Sequence, residues 1–154
     1  MRHPLHDYSA GAGYFVTFAV QDRLPVLGSI ADSRCVLSWR GEIVMDVWRT
    51  LTQYYAYLIA DCVQVMPDHV HCIVAVSYSG GEGSGRFVVK PLSRLIQAFK
   101  AITARRINRR DERAGRRFWQ RGFHDRVIRN DRELSKFRFY IETNALRDYL
   151  RSRE

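Results

Sequence analysis

Two apolar runs separated by a three-residue break constrain the fold of this chain more than any other feature. Residues 57–65 and 69–76 are dominated by β-branched and other apolar side chains, which favours β-strands. The break, Met66-Pro67-Asp68, has room only for a tight turn or a bulge. We therefore predict an antiparallel hairpin, and the rest of the fold must be built around it.

The second strand of this hairpin carries two histidines, His69 and His71, on either side of Val70. Side chains alternate between the faces of a strand, so both imidazoles project to one face and Val70 to the other. Two imidazoles on one face can hold a divalent cation. A polar pair within so apolar a strand costs free energy unless something uses it. Taken alone, the pattern is equally compatible with two partly exposed histidines that bind nothing.

The charge of the chain indicates a polyanionic partner. The formal net charge is +9 over 154 residues, with a pI near 9.9. Such an excess favours nucleic acid first and a membrane surface second. Most of the basic residues are arginines, which bind phosphate through two parallel hydrogen bonds and stack on bases. Nucleic acid is therefore the preferred interpretation.

Length and composition indicate one soluble domain over residues 1–154, with a core over about 13–149. The hydrophobic content of 46% and charged content of 27% are those of a globular protein. No apolar run approaches the roughly 20 residues that span a bilayer, and the N-terminus resembles no signal peptide. We expect a cytoplasmic protein with no membrane partner. Its three cysteines lack CxxC spacing and are expected to be reduced.

The remaining segments complete a β-α-β-β-α-β-α order. Loops are expected over residues 1–13 and 77–85. The other predicted elements are a strand over 14–20, a helix from Asp32 or Ser33 to about Tyr54, a helix from Pro91 to about Arg110, a strand within 118–129, and a helix from Asn130 or Asp131 to about Tyr149. This order predicts an α+β fold, namely a ferredoxin-like split βαβ antiparallel sheet with an additional C-terminal helix.

The last helix carries three polar side chains on one side. Tyr140 lies at the edge of its apolar stripe, Asn144 one turn later and Lys136 one turn earlier. All three could face the histidine pair across the sheet. Each has a plainer alternative when considered alone: a tyrosine at the edge of the core, a surface asparagine and a solvated lysine.

Several stretches together resemble a known family. Met66-Pro67-Asp68-His69-Val70-His71 resembles the His-hydrophobic-His motif of the single-tyrosine HUH transposases, which are IS200-like. Tyr140-Ile141-Glu142-Thr143-Asn144 resembles their Tyr-Ile-x-x-Asn signature. Residues 14–18, 99–108 and 118–129 resemble the branch called REP-associated tyrosine transposases. The resemblance covers about residues 13–145.

The resemblance implies an enzyme that cleaves and transfers strands of single-stranded DNA, at hairpin-containing (REP-like) sites, through a covalent 5′-phosphotyrosine. Tyr140 would be the nucleophile, and His69, His71 and Asn144 would hold Mg²⁺ or Mn²⁺. The protein would be a monomer or a homodimer. The residues expected to bind DNA are Lys100, Arg105, Arg106, Arg109, Arg121, Arg126, Lys136 and Trp119.

Some alternatives stay open at this point. Trp119 is as compatible with core packing as with stacking on a base. Ala145 stands where the family often has proline, so the last helix can continue past Asn144. A non-catalytic nucleic-acid-binding module on the same sheet would explain the charge and the fold without the histidines. A metal-dependent phosphodiesterase that uses water instead of Tyr140 is a third possibility.

Overall fold

The structure, a computed structural model, describes residues 13–76 and 91–154. These residues form six strands, three α-helices and one 3-10 turn at Gln21–Arg23. In chain order the strands and α-helices are β1 (Gly13–Ala19), β2 (Gly28–Ala31), β3 (Arg34–Leu37), α1 (Trp39–Tyr54), β4 (Leu58–Val65), β5 (His69–Val76), α2 (Leu92–Arg110), β6 (His124–Ile128) and α3 (Asp131–Arg151). The loop predicted over 77–85, and most of that before Tyr14, lie outside the described residues. None of these helices is long and apolar enough to cross a membrane.

Four strands form one antiparallel sheet in the order β4-β5-β1-β6. The predicted hairpin is present as β4 and β5, and β5 lies between β4 and β1. This is the order of a split βαβ sheet, so the predicted ferredoxin-like architecture with a C-terminal helix is confirmed. In this register Thr17 of β1 lies opposite His71 on one side and His124 on the other.

The two faces of the sheet have different partners. Val16 and Phe18 of β1 point to the face covered by α1 and α2, where Trp48 and Phe99 pack in the larger core. The residue just before Val16, Phe15, points to the opposite face, which α3 covers with a smaller apolar cluster. The site-bearing face is therefore the one under α3.

The predicted start of the first helix is wrong. Residues 28–37 form a second hairpin, β2 paired with β3, and α1 begins only at Trp39. Asp32 and Ser33 are the two turn residues, with φ of 48° and 61°, which is the left-handed conformation that tight hairpin turns require. Ser38 is the true N-cap, and its hydroxyl accepts the Gly41 N–H at 3.3 Å.

Gly41 is buried where α1 crosses the segment before β2. A Cβ built on Gly41 would collide with the backbone carbonyl oxygen of Leu27, a residue with no exposed surface. That carbonyl also accepts the Ser38 N–H, so it cannot easily move. The close approach of the two backbones explains a glycine inside a helix, where glycine is otherwise unfavourable.

We expect Gly41→Ala to lower the free energy of unfolding by about 1–3 kcal/mol, because the collision outweighs the gain in helix propensity. Thermal and urea unfolding would measure it. Gln53→Ala, an exposed position of the same helix, is the control and should unfold like wild type. A Gly41→Ala protein as stable as wild type would contradict the close packing of α1 on Leu27.

Candidate active site

The histidine pair lies on the α3 face of β5, at the beginning of this central strand. Both side chains are buried, and their two Nε2 atoms face each other at 3.0 Å. Val70, between them, points into the opposite core. The structure thus places the two imidazoles on one face and within reach of a single atom.

Each imidazole is oriented through its other ring nitrogen. The Asp68 carboxylate lies 2.6 Å from Nδ1 of His69, and Arg23 binds the second oxygen of that carboxylate at 3.0 Å. Nδ1 of His71 lies 2.8 Å from the hydroxyl of Thr17. A carboxylate only accepts hydrogen bonds, so it holds the proton of neutral His69 at Nδ1 and leaves a lone pair at Nε2.

The environment of His71 disfavours the charged imidazolium. Burial lowers the pKa of His71 to about 3. The neighbouring imidazole of His69 and the positive charges of Arg23 and Arg147 act in the same direction, against a smaller opposite effect of Asp68. His71 is therefore neutral at pH 7. A neutral imidazole with a free lone pair is the form that binds a metal ion.

Helix α3 is fixed over this pair by contacts along its first half. Its N-cap is Asn130, whose side-chain oxygen accepts the Glu133 N–H at 2.9 Å. About two turns after the N-cap, Arg138 forms an ion pair with Asp61 of β4, with both bonds at 2.7 Å. The predicted start of the helix is confirmed. The helix runs through Ala145 to Arg151, slightly beyond the predicted end.

Tyr140 and Asn144 project from α3 toward the histidines. The buried amide of Asn144 places its nitrogen 3.5 Å from Nε2 of His69. Its oxygen can take the same place by rotation of the amide, because the two ends are nearly indistinguishable in shape. The Tyr140 ring centroid is 5.5 Å from that of His71, and 39% of the residue is exposed. The four residues predicted for catalysis and metal binding are therefore neighbours.

These donors fit a six-coordinate ion of the size of Mg²⁺. Adjacent ligands of an octahedral ion with bonds of about 2.1 Å lie about 3.0 Å apart, and the two Nε2 atoms are separated by 3.0 Å. Within 13–76 and 91–154 there is no group of three histidine, cysteine or carboxylate side chains suited to a metal. Asn144, whose amide lies beside His69, is placed to act as a third protein ligand.

The basic residues predicted to bind DNA are split between the two faces of the molecule. Arg105, Arg106 and Arg109 belong to α2, on the side of the sheet away from α3. Arg126 lies opposite Phe15 in the β1–β6 pairing, so it shares the face of the histidines. Exposed Lys136 is on α3 itself, and exposed Arg121 precedes β6.

Two of these cations have structural contacts. The amine of Lys100 donates to the backbone oxygens of Gln120 and Gly122, each at 2.6 Å, and burial lowers its pKa. Arg106 pairs with Asp46 at 2.6 Å. Lys100 therefore holds the segment before β6 against α2, which explains its position without DNA.

The expectation that Trp119 stacks on a DNA base is wrong. Only 4% of Trp119 is exposed, and its ring packs edge-to-face with Phe18 and Phe118. Its indole N–H donates to the hydroxyl of Thr103 at 2.9 Å. A base has no access to this ring, so Trp119 belongs to the core shared by β1 and α2.

Sequence reasoning missed three residues that shape the site: Thr17, Asp68 and Arg147. Asp68 directly precedes His69, and its position alone could have identified it as a partner for the imidazole. Thr17 is identifiable only once the pairing of β1 with β5 is known. Arg147 stands two helical turns after Tyr140 and on the same side, and its guanidinium carbon lies 4.1 Å from the centre of the Tyr140 ring.

Residues 34–144 match the sequence profile of the family described as Transposase IS200 like, which is more than half of the chain. The chain belongs to the IS200-like transposase family. Resemblance in the histidine and tyrosine motifs had led to the same family, so that prediction is confirmed.

Similar proteins support the fold. An uncharacterised protein of Haemophilus influenzae is 18% identical over 92% of this chain and 84% of its own length. A REP-associated tyrosine transposase solved with a REP hairpin superposes with a TM-score of 0.65 at 16% identity, over 96% of this chain and 74% of that one. A candidate transposase from Deinococcus radiodurans superposes with a TM-score of 0.53 at 18% identity, over 92% of this chain and 96% of that one.

The role of Asp68 can be tested without metal. We expect long-range ¹H–¹⁵N spectra of chelator-treated protein to show His69 protonated at Nδ1 and unprotonated at Nε2, because a carboxylate accepts the Nδ1 proton. Asp68→Asn should remove this preference, since an amide can also donate. Asp125→Asn is the control, because Asp125 is exposed and pairs with Val16, on the face of the sheet away from the histidines. An unchanged His69 spectrum in Asp68→Asn would refute the assigned role.

Proposed function

We propose that this transposase-family protein cuts and rejoins single-stranded DNA by attack of the Tyr140 hydroxyl on a backbone phosphodiester. The observation that carries the proposal is the position of Tyr140. Its ring is partly open to solvent, yet it lies 5.5 Å from the ring of buried His71. A nucleophile at the mouth of a buried polar site can meet a large substrate while its reaction centre stays shielded from bulk water.

The chemistry is a transfer between two oxygens. The Tyr140 oxygen forms a bond to phosphorus while the bond from phosphorus to the 3′ oxygen breaks, and the electron pair leaves with that oxygen. The phenol proton passes to water, and the leaving oxygen takes a proton from water to become a 3′-hydroxyl. The product is a 5′-phosphotyrosine, which keeps a phosphodiester linkage, so rejoining needs only the reverse attack.

His69, His71 and Asn144 would hold Mg²⁺ or Mn²⁺ beside the phosphate. The bound ion would supply Lewis acidity to a non-bridging phosphate oxygen. The protein's part is to present two imidazoles, each held by Asp68 or Thr17, and one amide. This ligand set adds no negative charge, so it does not weaken attraction for phosphate. Imidazole ligands favour Mn²⁺ over Mg²⁺.

The DNA backbone would contact the exposed basic residues nearest the site. Arg126 and Lys136 lie on the same side of the sheet as Tyr140, and both are exposed. Neither forms an ion pair with another described residue. Arg105, Arg109 and Arg121 are also exposed and would extend the positive surface around the molecule.

A substrate with a hairpin is the natural candidate. The transposase with the TM-score of 0.65 was solved bound to a REP hairpin. The three stretches at 14–18, 99–108 and 118–129 favour the same REP-associated branch for this chain. We therefore propose single-stranded DNA beside a hairpin as the substrate class.

Wild-type protein with Mn²⁺ and single-stranded hairpin DNA should form a covalent adduct visible on denaturing gels. Tyr140→Phe should form none, because the attacking oxygen is lost. Tyr149→Phe on the same helix is the matched control and should react like wild type, since Tyr149 contacts Arg153 and not the histidines. An adduct in Tyr140→Phe, or cleavage with many turnovers in that variant, would sink the proposal.

The metal site predicts a separate result. His71→Gln should weaken Mn²⁺ binding at least tenfold by calorimetry, because one of three protein ligands loses its imidazole. Affinity for hairpin DNA measured in chelator should stay near wild type. His124→Gln is the control, since His124 stands on the same face with Thr17 between it and His71. Equal Mn²⁺ affinity in wild type and His71→Gln would exclude this ligand set.

A further inference from the structure

Arg147 lies directly on the tyrosine proposed as nucleophile. Its guanidinium carbon is 4.1 Å from the centroid of the Tyr140 ring. One terminal nitrogen, Nη2, donates to the backbone oxygen of Tyr140 at 2.8 Å. Arginine keeps its proton at every pH at which the protein is folded, so this contact puts a permanent positive charge against the phenol.

The side chain reaches this place by folding back along α3. Seven residues separate Tyr140 from Arg147, which is nearly two helical turns and returns to the same side of the helix. Helical side chains lean toward the N-terminus, so the guanidinium can reach the earlier turn. Asn144 lies between them on this side. Tyr140, Asn144 and Arg147 therefore form one row facing the histidines.

These contacts leave one donor of Arg147 unsatisfied. The Nε of Arg147 is buried without a hydrogen-bond acceptor, and it is the one buried side-chain nitrogen or oxygen in that state among residues 13–76 and 91–154. A buried unpaired N–H is unfavourable, whereas an arginine extended into water would satisfy every donor. Arg151, the next arginine of the same helix, does extend into water, with 74% of its side chain exposed.

The surroundings add a further disadvantage for a cation. Arg147 is close enough to His71 for its charge to act on that imidazole, and the Tyr140 carbonyl it binds is neutral. No carboxylate among the described residues forms an ion pair with Arg147. A positive charge held without a counter-ion against the Tyr140 ring is suited to negative charge that arrives with a substrate.

We propose that Arg147 is a catalytic residue of the strand transfer, a role that rests on the function proposed above. Its guanidinium holds the Tyr140 ring in place and stabilises the negative charge on the phenol oxygen and the phosphoryl group as the new oxygen–phosphorus bond forms and the bond to the 3′ oxygen breaks. It takes no proton. The phenol proton still goes to water, and the 3′ oxygen still receives one from water.

This role differs from that of the cations that would hold the DNA. Arg126 and Lys136 are exposed and would contact phosphates at a distance from the reacting bond, so they affect binding. Arg147 contacts the reacting side chain itself. Loss of Arg147 should therefore change the rate of the covalent step far more than the affinity for DNA.

The test is the single-turnover rate of adduct formation in Arg147→Gln. We expect that rate to fall about 10²-fold, as when one transition-state donor is removed. The Kd for hairpin DNA, measured in chelator, should stay close to wild type. Arg147→Lys, which keeps the charge but not the planar group, should recover part of the rate.

Arg151→Gln is the matched control, since it removes the same charge from the same helix without contact to Tyr140, and it should react like wild type. Equal rate losses in the two variants, or a loss in Arg147→Gln matched by the loss in DNA affinity or by unfolding, would overturn the proposal. A normal rate in Arg147→Gln alongside an inactive Tyr140→Phe would refute the catalytic role of Arg147 and leave the proposed function standing. No adduct from wild type would refute the proposed function and this role with it.

Discussion

The hydrogen bonds to the two Nδ1 atoms make the rest of this structure possible. Every residue of β5 is buried, so His69 and His71 have almost no water to satisfy their ring nitrogens. Asp68 and Thr17 supply the missing partners from the adjoining turn and from the neighbouring strand β1. With the Nδ1 atoms satisfied, the two Nε2 atoms converge on one point below α3. A buried polar pair that would otherwise weaken the sheet becomes an oriented pair of donors.

The second constraint is the rotation of α3 about its own axis, which determines which of its side chains face the two imidazoles. Phe15 stacks between the ring of His71 at 5.4 Å and that of Phe137 at 4.8 Å, and its edge meets Tyr140. Together with the ion pair of Arg138 to Asp61, these rings hold the helix against the sheet. A turn of α3 by one residue, about 100°, would move Tyr140 and Asn144 away from the histidines. The geometry of the site is therefore a property of helix packing.

Sequence patterns predicted the parts of this fold that have a strong and unambiguous period. The β4–β5 hairpin, the bounds of α2 and the start of α3 all follow from long apolar patterns with clear end signals. The β2–β3 hairpin was missed because its strands have four residues each, and Val36 fits the stripe of a helix as well as the alternation of a strand. Trp119 was misjudged because it lies outside regular structure, where no period indicates which way a side chain points.

The charges of the site are divided between its interior and its rim. Both imidazoles are buried, and His71 is neutral at pH 7, so under the proposed function the interior attracts phosphate little without a bound cation. Exposed cations such as Arg126 and Lys136 would supply the long-range attraction, which salt screens over about 10 Å. Arg147 is the exception, a cation held at the boundary between rim and interior by its contact with Tyr140. Because partly buried charges are screened less than exposed ones, added salt would weaken capture of the DNA much more than the covalent step that follows.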